Sequence, residues 1–208
     1  FSFQVDLKGI IRLLSENLYS SSDVFLRELL QNAVDAIAAR RESEPGFRDG
    51  RIRVTYHSEA DGQANLVFSD NGIGLTREEI HTFLSVIGQS SKRGEMERTS
   101  FIGQFGIGLL SCFLVTDEIV VRSRSVREEK GWKWLGRSDG TYQVAADAET
   151  LAPGTRIEIK LDKKMARRYH EARAIKLLKE YGFLIKVPVE FEGDGSSRRI
   201  NDGFIPWR

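Results

Sequence analysis

The chain has 208 residues, with 31 lysine and arginine and 30 aspartate and glutamate side chains, so its formal net charge is +1. A charge this close to zero, with both signs interspersed, argues against a surface built mainly for nucleic acid or for an anionic membrane. The length suits one large domain, or a domain and a short extension, and no apolar run is long enough to span a membrane.

The first part of the chain predicts a short strand followed by two helices. Residues 1–5 alternate as a strand does, and residues 6–18 carry leucine and isoleucine at helical spacing. Residues 23–41, DVFLRELLQNAVDAIAARR, then form a single amphipathic pattern. Asp23 is the predicted N-cap of this second helix, because a carboxylate accepts from the free amides of a first turn.

Three polar residues of the second helix lie on one side of it. At about 100° per residue, Glu28, Asn32 and Asp35 fall within roughly 60° of arc. The apolar side is formed by Leu26, Leu30, Ala33 and Ile37. The polar row is therefore either a solvated surface or part of a site, and this segment alone does not decide between them.

A second group of polar residues follows two predicted strands, residues 51–58 and 64–70. The second strand ends at Asp70, and the segment DNGIG follows it directly. Asp70 either closes a plain Asx turn or points into a pocket, where its carboxylate would accept a hydrogen bond from an exocyclic amine. Thr76 and Glu79 then form a capping box that predicts a helix over residues 77–86.

A glycine-rich segment follows a long polar stretch. Residues 87–102 lack periodicity, which predicts a lid or a disordered loop. GQFGIG at residues 103–108 then runs into the apolar segment LLSCFLV. Glycines at a helix start aim free amides at an anion, usually phosphate, although a tight helix entry without a ligand has the same pattern. The only cysteine, Cys112, is predicted to be a buried thiol, and the cytoplasm is the expected compartment.

The remainder of the chain predicts mainly antiparallel strands. Four strands are expected between residues 117 and 161, a helix over residues 166–181, and an edge strand around Pro188. Gly154 and Thr155 open one of these strands, but a lone GT carries little information. The predicted fold is α+β, a two-layer sandwich in which helices cover one face of a mixed, mostly antiparallel sheet. We expect one domain over residues 1–192, and a linker or the start of a further domain over residues 193–208.

Four segments in this order resemble the nucleotide-binding boxes of the GHKL ATPase superfamily, which have the Bergerat ATP-binding fold. They are ELLQNAVDA, DNGIG, GQFGIG and the late GT. The longer stretches LYSSSDVFLRELLQNAVDA and FIGQFGIGLLSCFLV are similar to those of the heat shock protein 90 chaperones, close to the bacterial members. The resemblance extends to about residue 192 and implies an N-terminal ATPase domain.

The resemblance implies a role for each matching residue. Glu28 would polarise the water that attacks the γ-phosphate of ATP, Asn32 would bind Mg²⁺, and Asp35 would shape the pocket. Asp70 would bind adenine, with Thr155 assisting through water and Gly74 beside the ring. The backbone amides that would hold the phosphates of ATP or ADP are those of Gln104, Phe105, Gly106, Ile107 and Gly108. Leu109 stands where the family packs an aromatic side chain near the ligand.

The sequence departs from the family pattern in the predicted lid. Gln89 occupies the position of a lysine that the family usually carries, and Lys92 or Arg93 would have to reach the phosphates instead. Phe83 replaces an asparagine. The family's catalytic arginine belongs to the following domain, so we expect slow hydrolysis by this chain alone.

The resemblance also implies partners. Unfolded or partly folded client proteins and a second copy of the full-length protein are expected, whereas nucleic acid and membranes are not. A non-hydrolysing nucleotide sensor is the alternative that Gln89 and Phe83 favour. A topoisomerase or mismatch-repair type of GHKL ATPase would require DNA-stimulated hydrolysis, and a sensor histidine kinase would require a phospho-acceptor helix, which is not apparent.

Overall fold

The structure is a computed structural model that describes residues 9, 23–84, 108–149 and 152–201. The predicted strand at residues 1–5 and the predicted lid at 87–102 lie outside these residues, as does the predicted helix at 6–18 except for residue 9. The strands are β1 (Ile52–Ser58), β2 (Ala64–Asp70), β3 (Glu118–Arg124), β4 (Trp132–Arg137), β5 (Tyr142–Ala146), β6 (Gly154–Leu161), β7 (Val189–Gly193) and β8 (Ser196–Arg199). The helices are α1 (Val24–Ser43), α2 (Arg77–Leu84), a 3₁₀ helix (Leu109–Leu114), α3 (Lys163–Arg168) and α4 (Glu171–Gly182).

All eight described strands form a single sheet in the order β5-β4-β3-β6-β2-β1-β7-β8. Every neighbouring pair is antiparallel except β1 and β7, which run parallel. Helix α1 packs on β1 and β2, and it also contacts α4 and the 3₁₀ helix. The predicted α+β sandwich with a mixed, mostly antiparallel sheet is confirmed.

The core lies between α1 and the sheet. Leu26, Leu30, Ala33 and Ile37, the predicted apolar side of α1, are all buried. They meet inward-facing residues of the strands, such as Ile52 and Val54 of β1. Burying a leucine or isoleucine side chain stabilises the fold by roughly 1.5–3 kcal/mol, so this face fixes how α1 lies on the sheet.

The predicted N-cap position of Asp23 is confirmed, but the predicted capping hydrogen bond is not. Asp23 occupies the N-cap position, but its backbone is helical and its carboxylate makes no capping hydrogen bond. It instead accepts a hydrogen bond from the Arg173 guanidinium at 2.9 Å, which ties the start of α1 to α4. The predicted capping box is confirmed, since the Thr76 amide donates to Glu79 (2.8 Å) and the Glu79 amide to the Thr76 hydroxyl (3.2 Å).

The predicted helix over residues 166–181 is two helices. Asp162 caps α3 by accepting from the Met165 amide at 2.7 Å, and the chain leaves the helical conformation at Tyr169 and His170. The ring of Tyr169, completely buried at this break, packs edge-on against Phe25 at 5.3 Å. Anchoring this ring on α1 turns the chain between the two helices.

The end of the sheet also differs from the prediction. β7 is not an edge strand, because β8 pairs with it on the far side. Within the predicted linker at residues 193–208, β8 pairs with the sheet, and Ile200 and Asn201 are buried. Asn201 donates to the carbonyls of Ile185 and Val187 at 2.7 Å each, so this segment is fixed to the sheet. The domain boundary after residue 192 stays a prediction.

Candidate functional site

The polar row of α1 is not a solvated surface. Asn32 is only 5% exposed, and Glu28 and Asp35 are partly buried. Burial raises the pKa of the Asp35 carboxyl, and a hydrogen bond of 2.8 Å from the Gln31 amide opposes that rise. The Glu28 carboxylate lies 3.1 Å from the guanidinium of its neighbour Arg27. These three side chains therefore lie against other parts of the same chain, and they do not form an open helix face.

Gly108, the last residue of the glycine-rich segment, closes against this row. A Cβ atom at position 108 would stand 3.0 Å from Glu28 Oε2 and 3.7 Å from Asn32 Nδ2. The 3₁₀ helix that follows is buried along most of its length, and it packs on α1. A side chain at this position would displace the end of the Glu28 side chain.

The side-chain amide of Asn32 is buried beside Gly108. Its Nδ2 atom has no hydrogen-bond partner among the described residues. An unpaired buried polar group costs about 1–3 kcal/mol, so this atom is a candidate contact for a bound group. A phosphate oxygen would accept from Nδ2, and rotating the amide by 180° would present Oδ1, the atom that a metal ion binds.

The second polar group lies at the end of three neighbouring strands. Asp70 of β2 is directly opposite Thr155 of β6, and Thr155 is directly opposite Ser123 of β3. Side chains two residues apart on a strand point to the same face of the sheet. Each of these three residues is two positions from a buried apolar residue, so all three lie on the face that the helices cover. The apolar residues are Phe68, Ile157 and Val121. The structure therefore brings the predicted residues Asp70 and Thr155 together.

Burial raises the pKa of the Asp70 carboxyl to about 7, although hydrogen bonds from the Gly72 and Thr155 amides oppose the rise. The Gly72 amide donates to Asp70 Oδ1 at 2.8 Å, so the predicted Asx turn is present. A carboxylate held in such surroundings, at the end of a strand, is typical of a ligand-binding group. The turn and the pocket interpretations are thus compatible.

The loop after Asp70 is fixed to α1. The Ile73 amide donates to the Ala36 carbonyl at 3.0 Å, and the Arg40 guanidinium donates to the Asn71 carbonyl at 2.9 Å. A Cβ atom on Gly72 would stand 2.6 Å from the Ala36 backbone. The C-terminal half of helix α1 therefore holds the Asp70 loop, and the N-terminal part of the same helix lies beside Gly108.

Gly74 adopts a backbone conformation that suits only glycine. Its φ is +67°, and a Cβ atom there would overlap the Arg124 carbonyl. The neighbouring Ile73 carbonyl accepts from the Val126 amide at 2.9 Å, which joins the loop to the end of β3. The role of Gly74 beside a bound ring stays a prediction, and its role in the loop is structural.

Ser123 is a residue of this site that no sequence pattern had indicated. Its hydroxyl is completely buried and contacts three groups: the Leu75 amide (2.8 Å), the Gly154 carbonyl (3.0 Å) and the Thr155 hydroxyl (2.9 Å). The available signal was the alternation of β3, in which Ile119 and Val121 point inward and a serine follows in the same register. A polar residue at such a position needs buried partners.

A profile of the family described as histidine kinase-, DNA gyrase B-, and HSP90-like ATPase matches residues 19–167, which include α1, the Asp70 loop and Thr155. The chain belongs to this ATPase family.

Within the HSP90-like ATPases, the chain is similar to bacterial proteins named chaperone protein HtpG. It is 30% identical to the protein of Chlorobaculum tepidum, with 100% of this chain aligned, and 31% identical to that of Rhodospirillum rubrum, with 99% aligned. Identity to the Escherichia coli protein is 33% over 99% of the chain. The chain spans 35% of the length of each of these relatives. The predicted resemblance to heat shock protein 90 chaperones is confirmed.

Membership of this ATPase family implies a nucleotide site, and the described residues fit one. No group of three or more His, Cys, Asp and Glu side chains in the described ranges could hold a metal ion by itself. Mg²⁺ is commonly bound through one or two protein ligands and the substrate's phosphates, so Asn32 beside Gly108 suits an ion that arrives with the nucleotide.

Several residues that the HSP90-like resemblance singles out lie outside the described ranges. They are Gln89, Lys92, Arg93, Gln104, Phe105, Gly106 and Ile107. Leu109 is described, and its side chain is buried in the core. Cys112 is completely buried, which confirms the predicted buried thiol, and burial raises the pKa of this group. Among the helices of the described segments, none has the length and apolar character that crossing a membrane requires.

Proposed function

We propose that this chain is the N-terminal domain of an HSP90-like molecular chaperone, and that the domain binds ATP and hydrolyses it with Mg²⁺. The observation that carries the proposal is the contact of Gly108 with Glu28 and Asn32. It joins the end of a predicted phosphate loop to a carboxylate and to a buried amide without a partner in the described residues. Similarity to the HtpG chaperones supports the same function.

The adenine of ATP or ADP would lie at the strand ends. Ionised Asp70 would accept a hydrogen bond from the exocyclic amine, and Thr155 would assist through a water molecule. Gly74 would allow the ring to approach the loop backbone. Ala36, which holds this loop, and Glu28 are eight residues apart on α1, or about 12 Å along its axis. The adenine base and the terminal phosphate of one nucleotide could therefore bind near opposite ends of α1.

The phosphates would bind to backbone amides in front of the 3₁₀ helix. The residues that would supply these amides are Gln104, Phe105, Gly106, Ile107 and Gly108. Amides without intrahelical partners at the start of a helix favour anions, and glycines let the backbone approach them closely. Asn32 is close enough to Gly108 to take part in the same phosphate site.

Glu28 would orient and polarise the water molecule that attacks the γ-phosphate. Asn32 would hold Mg²⁺, which neutralises charge on the phosphate oxygens as the bond to ADP loosens. Asp35, one turn further along, would shape the site and its water network. An arginine from a following domain would complete the catalytic group, so turnover by this chain alone is expected to be slow.

Nucleotide binding would act beyond the site through residues 87–102. We propose that this segment closes over the nucleotide and that closure promotes contact between the N-terminal domains of a homodimer of the full-length protein. Unfolded or partly folded client proteins in the cytoplasm would be the substrates of the chaperone. Nucleic acid and membranes are not proposed as partners.

A second candidate is a nucleotide sensor that does not hydrolyse ATP. Gln89 at the usual lysine position favours it, because one phosphate-binding cation of the lid would be missing. A topoisomerase or mismatch-repair type of ATPase is less favoured, because the chain carries a net charge of only +1. DNA that stimulated hydrolysis would point to that class.

Calorimetry with ADP and Mg²⁺ tests the base site. The wild-type chain should bind ADP, and Asp70→Asn should weaken binding by at least about tenfold, since a good acceptor is exchanged for an amide that can turn its donor to the base. Asp61→Asn makes the same exchange at an exposed position in the turn between β1 and β2, and it should bind as the wild type does. Binding that is absent, or unchanged in Asp70→Asn, would contradict the proposal.

Turnover tests the phosphate site, and it requires the full-length protein. Glu28→Gln should reduce kcat by roughly 10²-fold or more with ATP affinity nearly unchanged, because a positioned general base contributes about that much. Glu42→Gln changes an exposed carboxylate on the same helix and should hydrolyse ATP normally. If wild-type turnover is no faster than that of Glu28→Gln, the sensor is the better interpretation.

A further inference from the structure

The segment that contains α3 and α4 is strongly basic. Residues 162–186 have eight lysine and arginine side chains against three aspartate and glutamate side chains, whereas the whole chain has 31 and 30. The net charge of this segment is therefore +5, and that of the remaining residues is −4. Two of its three acidic residues serve the fold, since Asp162 caps α3 and Glu171 lies against Gly193. The positive charge is thus concentrated in one segment and is not balanced within it.

The exposed side of α4 combines lysine with an apolar end. The side of α4 that faces the core consists of buried apolar residues, Ala174, Leu177 and Leu178. Lys176 and Lys179 are exposed on the opposite side. Phe183 keeps a helical backbone conformation directly after α4. At about 100° per residue, Phe183 and the two lysines fall within roughly 60° of arc, so they form one line along the helix.

Phe183 and Leu184 are large apolar side chains that the fold leaves exposed, by 49% and 80%. Tyr142, on β5, is the only other large apolar side chain classed as exposed among the described residues. A single exposed apolar residue is ordinary on a protein surface. Two adjacent ones at the end of a line of lysines form a patch, and such patches mark interaction surfaces.

The lysines beside this patch are not neutralised by the fold. Lys176, Lys179 and Lys186 form no ion pair with another described residue. The ion pair that α4 does form joins Arg173 to Asp23 at 2.9 Å and holds the helix on α1. The exposed lysines are therefore available to carboxylates from outside the domain.

The end of this surface is fixed by backbone hydrogen bonds. The Ile185 amide donates to the Gly182 carbonyl at 3.0 Å, so the chain turns tightly around Phe183 and Leu184. The Ile185 carbonyl in turn accepts from the Asn201 side chain at 2.7 Å. A partner would not have to order this part of the chain, which lowers the entropic cost of binding.

An acidic protein segment fits this surface better than nucleic acid or a membrane does. Leu184, the more exposed of the two apolar residues, has no ring on which a base could stack. A membrane-surface helix inserts its apolar face, but the apolar face of α4 is packed on the core. A protein segment uses both parts of the surface, because its carboxylates pair with the lysines and an apolar side chain contacts Phe183 and Leu184.

We propose that Lys176, Lys179, Phe183 and Leu184 form a docking surface for an acidic segment of a separate partner protein, in which an apolar residue follows the carboxylates. Lys176 and Phe183 are about 10 Å apart along the helix axis, a distance that about three residues of an extended segment cover. The carboxylates and the apolar residue should therefore be two or three positions apart. This docking surface shares no residue with the proposed nucleotide site, so the inference does not depend on ATP binding.

The probe is a fluorescein-labelled peptide that repeats the unit Glu-Glu-Leu, titrated with the chain and followed by fluorescence anisotropy. We expect a Kd of about 10–100 μM at low salt. Raising the salt from about 0.05 M to about 0.5 M should weaken binding at least about tenfold, because it screens exposed charges. Peptides with glutamine for glutamate, or with serine for leucine, should each bind at least about fivefold more weakly. A wild-type chain that does not bind the Glu-Glu-Leu peptide overturns the inference.

Reversing the charge of two lysines tests the basic part of the surface. Lys176→Glu together with Lys179→Glu should weaken peptide binding at least about 30-fold, because two attractive contacts become repulsive. The control is Lys130→Glu together with Lys160→Glu, which makes the same change in net charge at exposed lysines outside residues 162–186. It should lose no more than about threefold in affinity. Equal losses in the two double variants would mean that only net charge matters, and would overturn the inference.

Leu184→Ser tests the apolar part. It should weaken binding of the Glu-Glu-Leu peptide about fivefold and leave binding of the serine-containing peptide unchanged, since that peptide has no leucine to place there. Tyr142→Ser removes an exposed apolar side chain elsewhere and should affect neither peptide. Leu184→Ser that binds the Glu-Glu-Leu peptide as the wild type does would overturn the proposed docking surface. All of these positions are exposed, so the melting temperatures should stay within about 3 °C of the wild type.

Two further titrations identify the source of the acidic segment. A separate partner requires that the full-length protein bind the peptide as tightly as this chain does. A full-length protein that does not bind it would mean that its own additional residues cover the surface, and would overturn the inference. The inference is also overturned if single-stranded RNA or phosphatidylglycerol vesicles bind more tightly than the peptide and lose that binding in the variant with Lys176→Glu and Lys179→Glu.

Discussion

Ile73 and Ala36 are joined by a backbone hydrogen bond of 3.0 Å, which fixes the loop after Asp70 to helix α1. Gly72 makes this contact possible, because its α-carbon lies directly against the Ala36 backbone. Eight residues earlier on α1, Glu28 lies beside Gly108. One rigid helix therefore sets the separation between the two ends of the proposed nucleotide site.

Gly72→Ala should disrupt this joint. The added methyl group would stand 2.6 Å from the Ala36 backbone, which cannot turn aside as a side chain can. We expect a loss of roughly 2–4 kcal/mol in the free energy of unfolding, with at least tenfold weaker ADP binding. Gly46→Ala is the control, because a Cβ atom there meets nothing within 4 Å. Equal melting temperatures for the two variants would show that the loop does not depend on this contact.

Gly108→Ala should affect catalysis more than folding. Its nearest neighbour is the end of the Glu28 side chain at 3.0 Å, which can move by a few tenths of an ångström at little cost. That movement would misplace the group proposed to orient the attacking water, so kcat of the full-length protein should fall about tenfold or more. The melting temperature should change by no more than about 3 °C, as expected for a cost below about 1 kcal/mol. A large loss of stability with unchanged kcat would contradict this account of Gly108.

The local parts of the site could be predicted from the sequence, but their assembly could not. The helical spacing of Glu28, Asn32 and Asp35 and the end of a strand at Asp70 are properties of short segments. Ser123 was missed because its role depends on β3 pairing with β6, and neither strand encodes that register alone.

The same reason explains the other errors. The break at Tyr169 depends on a ring contact with Phe25, and the ion pair of Asp23 depends on Arg173, 150 residues away. Helical periodicity continues through residues 163–182, so no local pattern indicates the turn. Tertiary contacts decided each of these points against the local preference.

Asp70→Asn should stabilise the protein at alkaline pH. Because burial raises the pKa of Asp70 to about 7, the group contributes most to stability below its unfolded pKa of 3.8, and this contribution is lost as the pH rises through 7. Asparagine keeps an oxygen for the Gly72 amide and has no charge to bury. The variant should therefore match the wild type near pH 4 and exceed it by up to about 4 kcal/mol at pH 8.

Denaturant unfolding at several pH values measures this difference. The informative quantity is the gap between variant and wild type, since other groups titrate equally in both proteins. A gap that is constant from pH 4 to pH 8 would mean that Asp70 has an ordinary pKa. A wild type that is the more stable protein at pH 8 would mean that the ionised carboxylate is stabilised by partners other than the amides of Gly72 and Thr155.

ADP binding should weaken as the pH falls below 7. The ionised Asp70 carboxylate is the stronger acceptor for an exocyclic amine, and at pH 6 only about one molecule in ten would carry it. Binding should therefore be about tenfold weaker at pH 6 than at pH 8, with a proton released on binding near pH 6. Adenosine is the better probe, because it has no phosphate that titrates in this range. Asp70→Asn should bind adenosine with no such dependence, and wild-type affinity that rises toward pH 6 would mean that the protonated carboxyl group binds the base.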